Sequence, residues 1–292
     1  MNDGASIAFA DANGVRFGYL QAGPPDGPLA LCLHGFPDSA HTWRHLLPTL
    51  ADLGYHAVAP FSRGYAPTQV PADECYQLGA LVADAVGLHA VLGGDDRAVL
   101  IGHDWGAMTG YGAIAFAPHR WRRAVTMAVP PTSSMGSAFL EYDQLRRSFY
   151  MFLFQTPLAE AAVSADDFAF IDGLWRDWSP GYPAAMDAAP AKDCLRGPGS
   201  LTAALGYYRA MFDPARQLPR YAAEQAATTA GGGCPVLYLH GAADGCLGVA
   251  TTPRAAEFLP AGSCVEVIDG VGHFLHLERP DVIGARIAEW LR

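Results

Sequence analysis

Short, largely apolar runs recur along the chain. They are Leu29-Ala30-Leu31-Cys32-Leu33, residues 55–59, Ala98-Val99-Leu100-Ile101, and residues 124–129, 235–239 and 264–268. Runs of this length without polar alternation predict strands covered on both faces, as in a parallel sheet. Between them helices are expected over about 39–53, over 77–92, where apolar positions fall at helical spacing, from the small-residue stretch at Ala107 onward, near 253–258 and over 280–291. Residues 6–10 and 15–21 flank Asn13-Gly14, a strong hairpin turn. An opening hairpin followed by alternating strands and helices predicts an α/β class with a mostly parallel central sheet flanked by helices.

That rhythm stops at Pro130-Pro131. From Thr132 to about Leu218 no buried strand is expected; the segment is rich in aromatics and helix formers, broken at Ser179-Pro180-Gly181 and Arg196-Gly197-Pro198-Gly199. It reads as an inserted helical cap, residues 132–218, in a core formed by 1–131 and 219–292. Gly231-Gly232-Gly233 reads as a short linker.

Composition narrows the class. With 292 residues, 51% apolar and 16% charged, the chain is long enough for a sizeable core. A formal net charge of −10 argues against a nucleic-acid partner. The polar, acidic start Met1-Asn2-Asp3-Gly4 does not read as a secretory signal, and no apolar stretch reaches membrane-spanning length. The six cysteines are scattered without a Cys-x-x-Cys pair, so reduced thiols and a cytoplasmic location are expected. His41 and His45 lie four apart without a His-Glu-x-x-His setting and read as surface histidines. No metal and no cofactor are expected.

The candidate chemistry centres on Gly102-His103-Asp104-Trp105-Gly106, between an apolar strand and a small-residue helix. This is the setting of a nucleophile elbow, with Asp where Ser commonly stands. Glycines at both flanks let the backbone take a strained turn. A carboxylate needs no base to be nucleophilic, and a helix N-terminus favours its ionised form. The simpler reading is a Gly-bounded turn with an N-capping Asp. Two further groups follow strands in the order of a nucleophile–acid–His triad: Asp244 in His240-Gly241-Ala242-Ala243-Asp244 and His273 in Gly270-Val271-Gly272-His273. Singly, Asp244 reads equally as a turn former and His273 as a packed histidine. Together they predict attack by Asp104, then cleavage of its ester by water that His273 deprotonates, with Asp244 orienting His273. Backbone N–H groups of Trp105 and Phe36 are placed to stabilise the oxyanion.

At His34-Gly35-Phe36-Pro37, the Asp104 pentapeptide, Asp244 and Gly272-His273, the chain resembles the epoxide hydrolases of the α/β-hydrolase superfamily, from about Val15 to Leu291. The resemblance implies an α/β-hydrolase fold with a cap, and a small apolar epoxide and water as reactants. It also implies that the loop of His34, Phe36 and Pro37 shapes the oxyanion and substrate site, with a cis bond before Pro37. Two cap tyrosines would donate hydrogen bonds to the epoxide oxygen. Tyr150-Met151-Phe152-Leu153-Phe154-Gln155 resembles the first tyrosine motif and Gly206-Tyr207-Tyr208-Arg209 the second, which points to Tyr150 and Tyr208, with Tyr207 as competitor. Each also reads as ordinary cap packing. A haloalkane dehalogenase would share the triad, but Phe36 stands where many such enzymes carry Asn. A fluoroacetate dehalogenase would want Arg where Trp105 stands, and a serine esterase a Gly-x-Ser-x-Gly. A non-catalytic small-molecule-binding relative has no need of the intact triad. Arg63 is expected to brace loops, Trp175 and Trp178 to pack or line the cap, and His103 and His276 to be structural, with no role needed for Cys246. An oligomer is compatible with this pattern.

Overall fold

The structure, a computed structural model, describes residues 7–292. Met1-Asn2-Asp3-Gly4 and Ser6, the expected first residue of the opening strand, lie outside the described residues. Strands β1 (Ala8–Ala12) and β2 (Val15–Ala22) form the predicted hairpin, with Asn13 and Gly14 both at positive φ. Six more strands follow: β3 (Leu29–Leu33), β4 (His56–Pro60), β5 (Val99–His103), β6 (Arg123–Met127), β7 (Val236–Gly241) and β8 (Cys264–Ile268). One eight-stranded sheet results, in the order β1-β2-β4-β3-β5-β6-β7-β8. The two pairings of β2 are antiparallel and all others parallel. Every position of β3, β4, β5 and β7 is buried, which is why those runs carry no polar alternation. β8, at the sheet edge, is mostly half-buried instead.

The helices of the first half are α1 (Leu46–Asp52), α2 (Leu78–Val91) and α3 (Trp105–Phe116). The helix expected over 39–53 is divided into a 3₁₀ turn, Ala40–Trp43, capped by Ser39, and α1. Pro48 is the cause. It has no N–H for the Arg44 carbonyl and its ring would clash with that group, so one helix cannot run through.

Between β6 and β7 the chain is helical. It forms α4 (Thr132–Met135), α5 (Tyr142–Arg147), α6 (Phe149–Leu153), α7 (Ala159–Trp178, kinked from Ala165 to Phe168), α8 (Ala185–Leu195) and α9 (Ser200–Phe212). The two Pro-Gly breaks separate the last three. A further helix, α10 (Ala222–Ala230), was not expected. It packs against α2 and α3, on the core. Its only apolar residues are alanines, which have high helix propensity but carry too weak a hydrophobic signal to announce it. The chain closes with α11 (Ala255–Phe258), α12 (Leu275–Glu278) and α13 (Pro280–Leu291).

The inserted helices share a hydrophobic core with the sheet. Phe36, Trp105, Leu239 and Phe274 belong to the same buried cluster as Tyr150, Phe154, Trp175 and Tyr208. The Trp178 carbonyl accepts from the N–H groups of both Gly245 and His273, each at 3.0 Å, and Trp175 Nε1 donates to the Pro37 carbonyl at 2.9 Å. The segment is thus tied to the loops that follow β3, β7 and β8. Among the described residues no helix is long and apolar enough to cross a membrane.

Candidate active site

Asp104 sits between the end of β5 and the start of α3, with φ 54° and ψ −117°. The strain of the elbow is therefore carried by the acid itself. The neighbouring glycines are needed for space. A Cβ on Gly106 would lie 2.0 Å from the Leu33 carbonyl oxygen, and one on Gly35 would lie 2.2 Å from Asp104 Oδ1. The carboxylate does not cap α3. It turns to the β3 loop, where the Phe36 N–H donates to Oδ1 at 2.8 Å, and the Trp105 N–H also faces it. The helix N-terminus does not decide its protonation. Burial dominates and raises the Asp104 pKa, against the lowering effect of His273 and the two N–H groups.

His273 is fully buried, and its Nδ1 lies 2.9 Å from Asp244 Oδ2. A carboxylate only accepts, so Nδ1 carries the proton and Nε2 of the neutral ring presents a lone pair. That Nε2 has no hydrogen-bond partner and lies 3.8 Å from Asp104 Oδ2, too far for a direct bond and near enough for one water to contact both. Burial alone would lower the His273 pKa; Asp244, with help from Asp104, outweighs it and raises the value. Asp244 is also the turn former of the simpler reading. Its Oδ1 accepts from the N–H groups of Cys246 and Leu247 at 2.7 and 2.9 Å, which fixes Oδ2 toward His273.

Asp104 opens onto a cavity of about 340 Å³ that Trp105, Tyr150, Tyr207 and Tyr208 also line. The two neighbouring tyrosines differ in what their hydroxyls do. Tyr207 donates to the Arg63 carbonyl at 2.8 Å, whereas the buried Tyr208 hydroxyl has no partner. The Tyr150 hydroxyl meets only Cys246 Sγ, at 3.5 Å, and its ring stands 5.6 Å from that of Tyr208. Burial first, then nearby Cys246 for Tyr150 and Asp104 for Tyr208, pushes both phenols well above their ordinary range.

Other expected residues fall elsewhere. His34 and Pro37, read as substrate-site residues, do not line the cavity. Both ring nitrogens of His34 are engaged, by the Gly35 carbonyl and the Ser62 N–H, and the Pro37 carbonyl accepts from Trp175. The bond before Pro37 is cis. Phe36 contributes its N–H, while its ring packs edge-on against Tyr208. Arg63 is buried in a two-point ion pair with Asp84 and bonds the Cys75 carbonyl, bracing two loops. Trp175 stacks on Phe274, and Trp178 packs against Tyr150 and His273. His103 bonds the His273 carbonyl from beneath, and His276 pairs with Thr42. His41 and His45 are exposed. Sequence reasoning passed over Cys246 as a neighbour of Tyr150; its place two residues after Asp244 was the available signal. It also missed the polar side chains that α10 brings to the cavity, because α10 itself was not expected.

The profile of the alpha/beta hydrolase fold matches residues 28–280. Epoxide hydrolase A of Mycobacterium tuberculosis is 33% identical over 96% of this chain and 95% of its own length. The chain belongs to the epoxide hydrolase family of the α/β-hydrolase fold. Epoxide hydrolase 3 of Xenopus tropicalis is 32% identical over 96% of this chain and 76% of its own length. The crystal structure of Epoxide Hydrolase A from Mycobacterium thermoresistibile matches with a TM-score of 0.81 at 29% identity, covering 98% of each chain. The α/β-hydrolase frame explains why Asp104, Asp244 and His273 meet: each follows the C-terminal end of a parallel strand, where such sheets place their sites.

Proposed function

We propose that this protein opens an epoxide to a vicinal diol through an ester on Asp104. Asp104 Oδ2 attacks a ring carbon while Oδ1 stays on the Phe36 N–H. The C–O bond breaks, and the oxygen takes a proton from Tyr150 or Tyr208. Such an alkoxide is far more basic than water at neutral pH, so a positioned acid relieves the step most in demand. His273 Nε2 then removes a proton from water, which adds to the Asp104 carboxyl carbon. The negative charge forms on Oδ1, facing the Phe36 and Trp105 N–H groups. Collapse releases the second alcohol with the proton from His273, and the proton left on the Asp104 carboxyl restores the phenol. One water is consumed.

The observation that carries this reading is the pair of buried phenols on the cavity, one unpartnered and one held only by a thiol. A halide-releasing enzyme wants N–H donors instead; among the described lining residues Trp105 is the only indole and none is Asn. The inserted helices, residues 132–218, serve in this reading as the cap that selects the substrate. Incubation with styrene oxide and with 1-bromobutane tests it: diol from the first is expected, and bromide without diol from any epoxide in a panel would overturn it. Tyr150→Phe and Tyr208→Phe are each expected to lower kcat/KM by about 10²-fold, and the double variant further.

A further inference from the structure

The far part of the cavity has a chemistry of its own. Exposure rises along it: Asp104, Tyr150 and Tyr208 are buried, Gln217, Gln225 and Thr228 are half-buried, and Thr229 is exposed. The nucleophile is thus at the closed end and the polar groups of the α9–α10 connection and α10 are at the open end. We propose that this mouth is a second subsite, which binds an uncharged group able both to donate and to accept hydrogen bonds, at the end of the substrate remote from the epoxide. The inference rests on the epoxide reading and names the substrate class: extended epoxides ending in an alcohol or a carboxamide.

The hydrogen-bond inventory sets the class. Gln225 Oε1 accepts from the Gly79 N–H at 2.8 Å, which orients its NH₂ group as the remaining donor. Gln217 Nε2 donates to the Ala210 carbonyl at 3.2 Å, leaving Oε1 as an acceptor. The Thr228 hydroxyl donates to the Gln225 carbonyl at 2.7 Å, so its oxygen is left with acceptor capacity only. A hydroxyl or amide satisfies both kinds; a carboxylate satisfies only the donor. Asp104 is the only charged side chain among the described lining residues. Thr132, Thr228 and Thr229 also line an adjoining cavity of about 240 Å³, whose one charged lining residue is the acidic Glu257. An anionic tail would find no cation in either space. At the roughly 30 Å³ that one water takes in the liquid, the catalytic cavity accommodates about a dozen non-hydrogen atoms.

Matched eleven-carbon terminal epoxides ending in methyl, alcohol, carboxamide or carboxylate test the subsite by steady-state kinetics. The alcohol and amide are expected to exceed the carboxylate in kcat/KM by about tenfold, since a carboxylate has no proton for the Gln217 and Thr228 acceptors and sets its negative charge against their oxygens. Gln225→Lys is expected to shift preference toward the carboxylate, and Thr228→Val to narrow the advantage of the alcohol over the methyl compound. Equal rates for alcohol and carboxylate in the wild type, or an unchanged order in Gln225→Lys, would overturn the subsite while leaving epoxide hydrolysis standing. No diol from any member of the series would overturn both.

Discussion

His273 and Asp104 set the pH behaviour expected of the proposed reaction. Protonated His273 cannot take a proton from water, and protonated Asp104 cannot attack. Both values are raised, so ester cleavage should fail as pH drops through a His273 pKa above the ordinary 6.5. On the alkaline side the two phenols, held well above the usual 10.0, should keep their protons. The kcat for diol formation, which includes both steps, is expected to rise with pH and then hold flat; an alkaline decline centred below about 10 would contradict it. His273→Gln should leave the ester trapped, visible as a mass increase on Asp104 after epoxide treatment. An unmodified Asp104 would count against covalent catalysis. At this scale the proposed triad was legible in the chain order of Asp104, Asp244 and His273. The choice of Tyr208 over Tyr207 rested on a motif; the structure adds a physical distinction, because the Tyr207 hydroxyl is already committed to the Arg63 carbonyl.

The β5–α3 elbow is built for placement of the acid rather than for ease of folding. A non-glycine residue at φ 54° and ψ −117° holds strain of about 1–3 kcal/mol. The space that Gly106 leaves is the other half of the device. In Gly106→Ala the new Cβ meets the Leu33 backbone, which cannot move aside without disturbing β3, and a loss of about 2–3 kcal/mol is expected. Equilibrium denaturation checks this; an unchanged midpoint would show that β3 can yield at no cost. The strand–turn–helix element was readable from the sequence. The division of labour within it was not, because close approach of β3 to α3 is a contact between segments distant in the chain.

The molecule holds its inserted helices to the sheet by packing and a few directed hydrogen bonds. Trp175 is the clearest fastening, stacked on Phe274 at 3.5 Å and bonded to the Pro37 carbonyl. Trp175→Ala should lower stability by about 3–5 kcal/mol and, by freeing the loop that presents the Phe36 N–H, reduce kcat more than it changes KM. Chemical denaturation and steady-state kinetics on one epoxide check both; a stable variant with unchanged kcat would show that the two layers hold without it.

The apolar runs by themselves determined the parallel sheet, since strands covered on both faces leave no room for polar alternation. The break at Pro130-Pro131 marked the change from alternating strands and helices to helices alone, and strand-end motifs supplied the three groups of the proposed reaction. Tertiary structure alone decided what surrounds them. It set the raised pKa values of Asp104 and His273, which come from burial and from partners far away in the chain. It also removed His34 and Pro37 from the cavity and brought in Cys246, Gln217, Gln225 and Thr228. Periodicity reports only which face of an element is covered; which side chains share a cavity depends on how elements cross, and that is written in no local pattern.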